Sequence, residues 1–322
     1  MIYHLSIRLS YTTINIYHFP YTMNLFRMKL SNIERGYNME YITLNNGIKM
    51  PMVGFGVFQI QDAKTTQEVV EAAIKTGYRL IDTAQAYGNE EAVGKAIKSA
   101  GIPREELFIT TKLWISDMSY KGAKKAFQES LSKLDLDYVD LYLLHQPIGN
   151  TFGAWRALEE LYKEGKIRSI GVSNFKEDQL ANISLFNEIT PAVNQIEVHV
   201  FNQKEQQHAY QTSKGVVTES WGAFAEGKND VFNHPILKEI AQKHKKTTAQ
   251  VMLRWQLQRG IVSLSKSANP ERVRSNFDIF DFQLTDTDME QIKTINTDTT
   301  VFADHHDATT VELLASFIGK SF

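Results

Sequence analysis

Cysteine is absent from the 322 residues, which excludes disulfides, cysteine–zinc sites and thiol nucleophiles. No run of roughly eighteen apolar residues is present, so no transmembrane helix and no membrane partner are expected. A charge excess is lacking too: 35 Lys and Arg face 37 Asp and Glu, giving a net charge of -2 and a pI near 6.5. A domain that grips phosphate backbones carries a clear basic surplus, so nucleic acid is not an expected partner. The glycine-rich turn of a Rossmann site is also missing, because its nearest match, Gly54-Phe55-Gly56, has no third glycine. What is present is ordinary for a globular protein: 43% hydrophobic and 22% charged residues, with length for one large α/β barrel or two domains. The lack of cysteine fits a reducing, cytoplasmic setting.

Residues 1–38 differ from the remainder. They hold five of the 13 Tyr but no Ala, Val or Asp. Leu9 to Phe26 contains no Asp, Glu, Lys or Arg, yet it is too polar for a signal-peptide core, and no small-residue cleavage site follows it. The composition predicts an extension outside the fold, Met39 as the natural start and residues 39–322 as one domain. A partner-binding or membrane-surface arm is the alternative.

From Met39 the pattern turns regular. Tyr41 to Leu44, Asn45-Asn46-Gly47 and Ile48 to Met50 read as a β-hairpin with an Asn-Gly turn. Eight short apolar runs follow: Met52–Gly56, Leu80–Ala84, Leu107–Leu113, Val139–His145, Ser169–Phe175, Ala192–His199, Gly215–Trp221 and Ile261–Ser267. Their nearly continuous apolar character suits parallel strands covered on both faces. Amphipathic stretches alternate with them: Thr65–Thr76, Glu90–Ala100, Ser119–Leu134, Gly153–Glu164, Lys176–Phe186 and Gln203–Ser213, then Pro235–His244 and Thr247–Gln258. Repeated strand–helix units of this number and size predict a (β/α)8 TIM barrel, with a doubly wound open sheet as the other candidate. Asn269-Pro270 opens a further short helix. The tail from Asp298, helical over Val311 to Phe317, is placed to close over one barrel mouth. Nothing in the pattern supplies a separate interface element, so a monomer is expected.

Catalytic residues of such a barrel lie at the carboxyl ends of its strands, and polar residues collect there. Asp82 ends the second strand and Tyr87 follows it. Lys112 ends the third, His145 the fourth, Ser173 and Asn174 the fifth. Gln195 lies on the sixth, Ser220 and Trp221 end the seventh, and Lys266 and Ser267 end the eighth. A polar side chain in a run such as Leu-Tyr-Leu-Leu-His is destabilising unless it has a partner.

Four of these groups suggest proton transfer. A lysine ammonium beside a tyrosine favours the phenolate and lowers its pKa, so Lys112 can activate Tyr87. Asp82 can hold Lys112 charged, and His145 can hydrogen-bond a substrate oxygen. Together they can give a proton to a carbonyl oxygen as hydride reaches its carbon. Taken singly, each has a plainer reading: Asp82 as a helix cap, Lys112 as a solvated strand end, His145 as a satisfied core histidine. Trp221 offers a flat face on which a nicotinamide can stack, with Ser173, Asn174 and Gln195 meeting its amide; otherwise it is a packed aromatic. Lys266, Ser267 and Arg272 flank the start of the short helix, and helix starts bind anions. A 2′-phosphate there favours NADPH over NADH, and a solvated basic corner is the plain alternative. Asp304-His305-His306-Asp307 resembles a metal cluster, but adjacent loop histidines without a second ligand set seldom converge, so no metal is expected.

Several blocks resemble the aldo-keto reductases. They are Gly77 to Glu90 (GYRLIDTAQAYGNE), Leu134 to His145 (LDLDYVDLYLLH), Gly165 to Phe175 (GKIRSIGVSNF) and Lys266 to Asn276, in order and at compatible spacing from about Glu40 onward. The nearest subgroup is that of the bacterial diketogluconate reductases and glyoxal or methylglyoxal reductases. The resemblance implies a (β/α)8 barrel that reduces small carbonyl compounds with NADPH. It implies a tetrad of Asp82, Tyr87, Lys112 and His145 with Tyr87 as the acid. Ser173, Asn174 and Gln195 then contact the nicotinamide, Trp221 stacks on it beside Ser220, and the turn Gly56-Val57-Phe58 lies over the cofactor. Lys266, Ser267 and Arg272 would hold the 2′-phosphate and Asn276 the adenine. Phe58, Trp114 and His199, with the tail from Phe302 to His306, are candidates for the substrate pocket. Val200, Ala223 and Ser265 stand where the family commonly has proline, each change worth about 0.4–1 kcal/mol through unfolded-chain entropy; they bear on loop rigidity, not chemistry. Two other functions stay open: a Schiff-base aldolase using Lys112, and a cofactor-binding regulatory protein with little turnover.

Overall fold

A computed structural model describes residues 39–318 together with Arg8–Leu9 and Thr12–Thr13, two short strands paired antiparallel. The extension expected over residues 1–38 otherwise lies outside the described residues. The domain opens with the hairpin, β1 (Tyr41–Thr43) against β2 (Lys49–Pro51), turned at Gly47 with φ 86. Eight parallel strands follow: β3 (Val53–Gly56), β4 (Leu80–Asp82), β5 (Phe108–Leu113), β6 (Val139–Leu144), β7 (Ile167–Ser173), β8 (Val193–Glu197), β9 (Val217–Trp221) and β10 (Val262–Ser265). They close in sequence order, β10 pairing with β3 and β7 with β8. Closure excludes the open doubly wound sheet and establishes the (β/α)8 barrel.

The helices are α1 (Ala63–Thr76), α2 (Glu90–Ser99), α3 (Tyr120–Leu134), α4 (Thr151–Lys163), α5 (Glu177–Leu185), α6 (Glu205–Ser213), α7 (Pro235–His244) and α8 (Thr248–Gln258). Beyond the repeat lie α9 (Pro270–Phe277), α10 (Asp286–Lys293) and α11 (Ala308–Ala315). Side-chain caps set several starts: Asp62 accepts from Thr65 N, Ser119 from Gly122 N, and Thr247 with Gln250 forms a capping box. The tail helix expected at Val311 to Phe317 begins earlier, at Ala308. Helix α10 has no counterpart in the sequence reading.

The hairpin plugs the amino-terminal end of the barrel. Leu44 and Met50 are buried there with Leu80, Phe108, Leu141, Val193, Val217 and Val262, most of them at strand starts. Each fully buried side chain of this size contributes about 1.5–3 kcal/mol. The Asn45 amide donates to Pro191 O at 3.0 Å and that of Asn46 to Arg168 O at 2.9 Å, which ties the turn to the strand starts. A second apolar cluster joins α7, α8 and α10 through Leu237, Ile240, Val251, Trp255 and Ile292. Among the described residues no helix is long and apolar enough to cross a membrane.

Candidate active site

The last residue of β4 is Asp82, in register with Thr110 of β5, and both strands are buried throughout. The chain then makes a short helical turn, Gln85–Tyr87, stopped by Gly88 in the left-handed region at φ 67, where glycine carries no Cβ penalty. Two side chains brace that turn. Gln85 donates to Asp117 Oδ2 at 2.7 Å and accepts from Trp114 N at 2.8 Å. Asn89 accepts from the Thr83 hydroxyl at 2.8 Å and donates to Val57 O at 3.0 Å. Neither Gln85 nor Asn89 stands out in the sequence, although Asn before a helix is a cap signal.

Lys112 reaches this turn from β5. Its Nζ donates to Asp82 Oδ1 at 2.6 Å, Thr83 O at 3.0 Å and the Tyr87 hydroxyl at 3.3 Å, which uses all three ammonium hydrogens. Lys112 is 0% exposed, so it is no solvated strand end, and Asp82 is bound to it rather than capping a helix. His145 lies beyond β6, its ring 5.7 Å from that of Tyr87 and 5.1 Å from that of Trp114, both edge-on. Its Nδ1 is buried with no hydrogen-bond partner among the described residues, unlike a satisfied core histidine.

Electrostatics divide the roles. Burial opposes the charge on Lys112, but Asp82, then Tyr87 and Glu219, outweigh it and hold the ammonium above the ordinary lysine range. Burial, with Lys112 and then His305, pushes His145 well below its ordinary value, so the imidazole is neutral at pH 7. For Tyr87 the outcome corrects the sequence expectation. Lys112 does pull its pKa down, but burial pushes it up by more, and Asp82 adds to the rise. The phenol is therefore held protonated rather than as a phenolate.

The opposite side of the mouth is built from β7, β8 and β9. Asn174 adopts φ 63, a left-handed conformation that Asn tolerates. Its amide donates to His145 O and to Ser173 Oγ, each at 3.2 Å, and its oxygen accepts from Trp221 Nε1 at 2.9 Å. The Ser173 hydroxyl donates to Gln195 O, and that of Ser220 to Val198 O, both at 2.8 Å. Gln195 Nε2 donates to Asp82 Oδ2 at 3.0 Å and to Glu219 Oε2 at 2.8 Å, so one carboxamide joins the two sides. Glu219 is fully buried, and burial with Asp82 pushes its carboxyl up to about 8. The sequence reading passes over it, yet an acid inside a buried strand is the signal that marks His145 in its own run.

The tail covers Trp221. Phe302 lies 5.1 Å from its ring, and His305 stacks on it at 5.7 Å with 21° between planes. Lys228 donates to Val301 O at 2.8 Å and sits 4.4 Å above the Phe302 ring. It belongs to the loop after β9, in which Ala225, Glu226, Asn229 and Asp230 all carry positive φ. Asn229 and Asp230 tolerate that region, whereas Ala225 and Glu226 are each strained by about 1–3 kcal/mol and persist only where their surroundings hold them.

The basic corner is looser than expected. Lys266 and Arg272 are exposed, and Lys266 donates to Gln59 Oε1 at 2.8 Å. Asn269 Oδ1 already accepts from Glu271 N and Arg272 N, so the first amides of α9 are capped by the chain itself. An anion here meets side chains rather than the helix start. Asn276 and Ser267 are buried beside it.

Of the three pocket candidates, Phe58 is 49% exposed with its ring 5.0 Å from that of Tyr87, and Trp114 borders His145. His199 gives way: it is 0% exposed, its Nδ1 accepts from Phe201 N at 3.2 Å and its Nε2 meets Glu197 Oε1 at 2.7 Å. Both nitrogens serve the fold. Glu197 also accepts from Val301 N at 3.2 Å, so the pair anchors the tail.

Known proteins resemble this chain in sequence and fold. A family model described as the aldo/keto reductase family matches residues 52–297. Glyoxal reductase from Bacillus subtilis (strain 168) is 46% identical over 258 residues, 80% of this chain and 93% of its own length. Methylglyoxal reductase DkgA from Escherichia coli (strain K12) is 44% identical over 258 residues, 79% of this chain and 93% of its own. The crystal structure of Bombyx mori aldo-keto reductase AKR2E4 in complex with NADP superposes with a TM-score of 0.79 at 35% identity, covering 82% of this chain and 95% of that one.

Proposed function

The chain belongs to the aldo/keto reductase family and is an oxidoreductase of carbonyl compounds; on that premise we propose that bound NADPH supplies the hydride, that Tyr87 supplies the proton, and that small aldehydes and ketones are reduced to alcohols. The observation that carries this reading is the convergence of Asp82 and Tyr87 on the buried ammonium of Lys112.

The residues fit such a cofactor. A Cβ added at Gly56 would meet nothing within 4 Å, so the backbone there borders open room beside Val57 and Phe58. Gln195 uses its amide nitrogen inside the barrel and keeps its carbonyl oxygen for a ligand. Trp221 is half-buried with one face under His305, and it would supply the flat surface for a nicotinamide. Ser173, Asn174 and Gln195 would hold the carboxamide beside Ser220. Lys266, Ser267 and Arg272 would hold the 2′-phosphate, and Asn276 the adenine. The relative solved with NADP supports this choice.

In the reaction, the neutral His145 directs the carbonyl oxygen toward the Tyr87 hydroxyl. Tyr87 gives its proton to that oxygen as the carbon is reduced. The phenolate left behind faces the Lys112 ammonium, which Asp82 keeps charged. General acids so placed contribute about 10²–10⁴-fold. Phe58 and Trp114 form apolar walls suited to a small carbonyl. The same ammonium argues against a Schiff-base aldolase, because a nucleophilic lysine needs a lowered pKa and Lys112 is pushed the other way.

Incubating the protein with glyoxal and NADPH deuterated at the transferred position tests the proposal. Deuterium on the carbinol carbon is expected, with faster turnover than for NADH. Cofactor that is bound but never consumed across a panel of aldehydes and ketones would sink it in favour of a regulatory role.

A further inference from the structure

One buried carboxyl in the barrel, Glu219, touches the chemistry above only through its pull on the Lys112 charge. Glu219 stands mid-strand on β9, in register with Gln195 on β8, so the two side chains leave adjacent strands on the same face. Gln195 Nε2 donates to Glu219 Oε2 at 2.8 Å and to Asp82 Oδ2 at 3.0 Å. A carboxamide nitrogen carries two hydrogens, and these bonds use both. The oxygen end of the amide, turned the same way, would face the Asp82 lone pairs and, with any Glu219 proton on Oε1, those of Glu219 Oε2 as well. Glu219 and Asp82 together therefore decide which end of Gln195 points into the barrel. Asp82 alone secures one hydrogen and is shared with Lys112.

Keeping Glu219 here is unfavourable in itself. It is fully buried, and its Oε1 has no hydrogen-bond partner among the described residues. An unsatisfied buried polar atom costs about 1–3 kcal/mol. An apolar residue would avoid that penalty and leave Gln195 free to flip.

We propose that Glu219 is a positioning residue of the nicotinamide site: by accepting one amide hydrogen of Gln195 it presents the Gln195 carbonyl oxygen as a fixed acceptor for the carboxamide N–H of the cofactor. Oε2 keeps an acceptor lone pair toward Gln195 whether or not Oε1 carries a proton. The inference rests on the reading of this mouth as a nicotinamide site.

The test compares binding of NADP+ with that of its 3-acetylpyridine analogue, in which a methyl group replaces the carboxamide NH2. Dissociation constants are read from intrinsic tryptophan fluorescence on the full chain, for the unaltered protein, E219Q and E219L. The unaltered protein should prefer NADP+ by about tenfold, the worth of one hydrogen bond. E219L should bind the two within about twofold of each other, and E219Q should keep the preference because its amide oxygen also accepts. E219A replaces E219L if the leucine prevents folding. A leucine or alanine variant that retains the tenfold preference overturns the proposal. So does one that loses affinity for both ligands equally, which marks a merely structural role, or an unaltered protein with no preference. Failure of the unaltered protein to bind either dinucleotide is a separate result: it removes the nicotinamide reading itself, and this proposal with it.

Discussion

Asp140 and Asp82 are both buried in the barrel wall, at opposite ends, and they are matched differently. Asp140, near the start of β6, accepts from Arg104 Nη2 at 2.6 Å and Ile109 N at 2.9 Å on one oxygen and from Arg168 Nη1 at 2.6 Å on the other. Arg104 also lies 4.2 Å over the Tyr138 ring and donates to Leu107 O. Asp82, at the end of β4, meets one ammonium and one amide. Around it remain a second carboxyl with an unpartnered oxygen and an imidazole with an unpartnered nitrogen. At Asp140 both carboxylate oxygens are answered by guanidinium groups and a backbone amide, and the cluster holds strands together even though Arg104 Nε is itself unpartnered. Around Asp82 the unpartnered atoms belong to a carboxyl and an imidazole, groups able to take part in proton transfer, at the end that barrels use as their catalytic face.

The contrast can be broken by exchanging consequences between the ends. Asp140→Asn should have the largest effect on stability, about 3 kcal/mol. That is the low end for breaking a buried pair, because Arg168 is 41% exposed. Denaturant unfolding measures the loss, while kcat at a temperature where the variant is folded should stay within about twofold. An equal loss of turnover would erase the distinction. His145→Ala should behave oppositely: kcat/KM for glyoxal falls about a hundredfold, the worth of one donor to a developing oxyanion. Its Tm should hold or fall only slightly, since Nδ1 has no hydrogen bond to lose.

The third variant sharpens the boundary of the mouth. Arg272→Ala should weaken NADPH about tenfold, measured by fluorescence titration, and leave NADH within about twofold. Equal weakening of both would take the 2′-phosphate away from the exposed corner of Lys266, Ser267 and Arg272.

Much of this contrast is legible in the sequence because it rests on periodicity and on polar residues in apolar runs. All eight strands fall within or beside their apolar runs, although windows such as Leu80–Ala84 and Val139–His145 overshoot where the ladder gives way to site loops. Asp82, Lys112 and His145 stand out for the same reason: a polar group at a buried strand end requires a partner. Glu219 meets that test equally but sits mid-strand, where the rule about strand ends does not look. Helix α10 is hard to see because Ile292 is its main buried apolar anchor, yet Thr285 and Asp288 form a capping box that marks its start. His199 looks like a ligand by type. Its partners come from Glu197 on the same segment and from the turn at Phe201, contacts fixed by backbone geometry rather than by any pattern of residues. The positive φ angles of the loop after β9, at residues other than glycine, carry no compositional sign.

Tyr87→Phe tests the central claim most directly, because it removes one hydroxyl and leaves Asp82, Lys112 and His145 in place. NADPH affinity and NADPH consumption with glyoxal would be measured on the same preparation. The account predicts binding within about threefold of the unaltered protein and turnover lower by about 10²–10⁴-fold. Unchanged turnover with intact binding would contradict it.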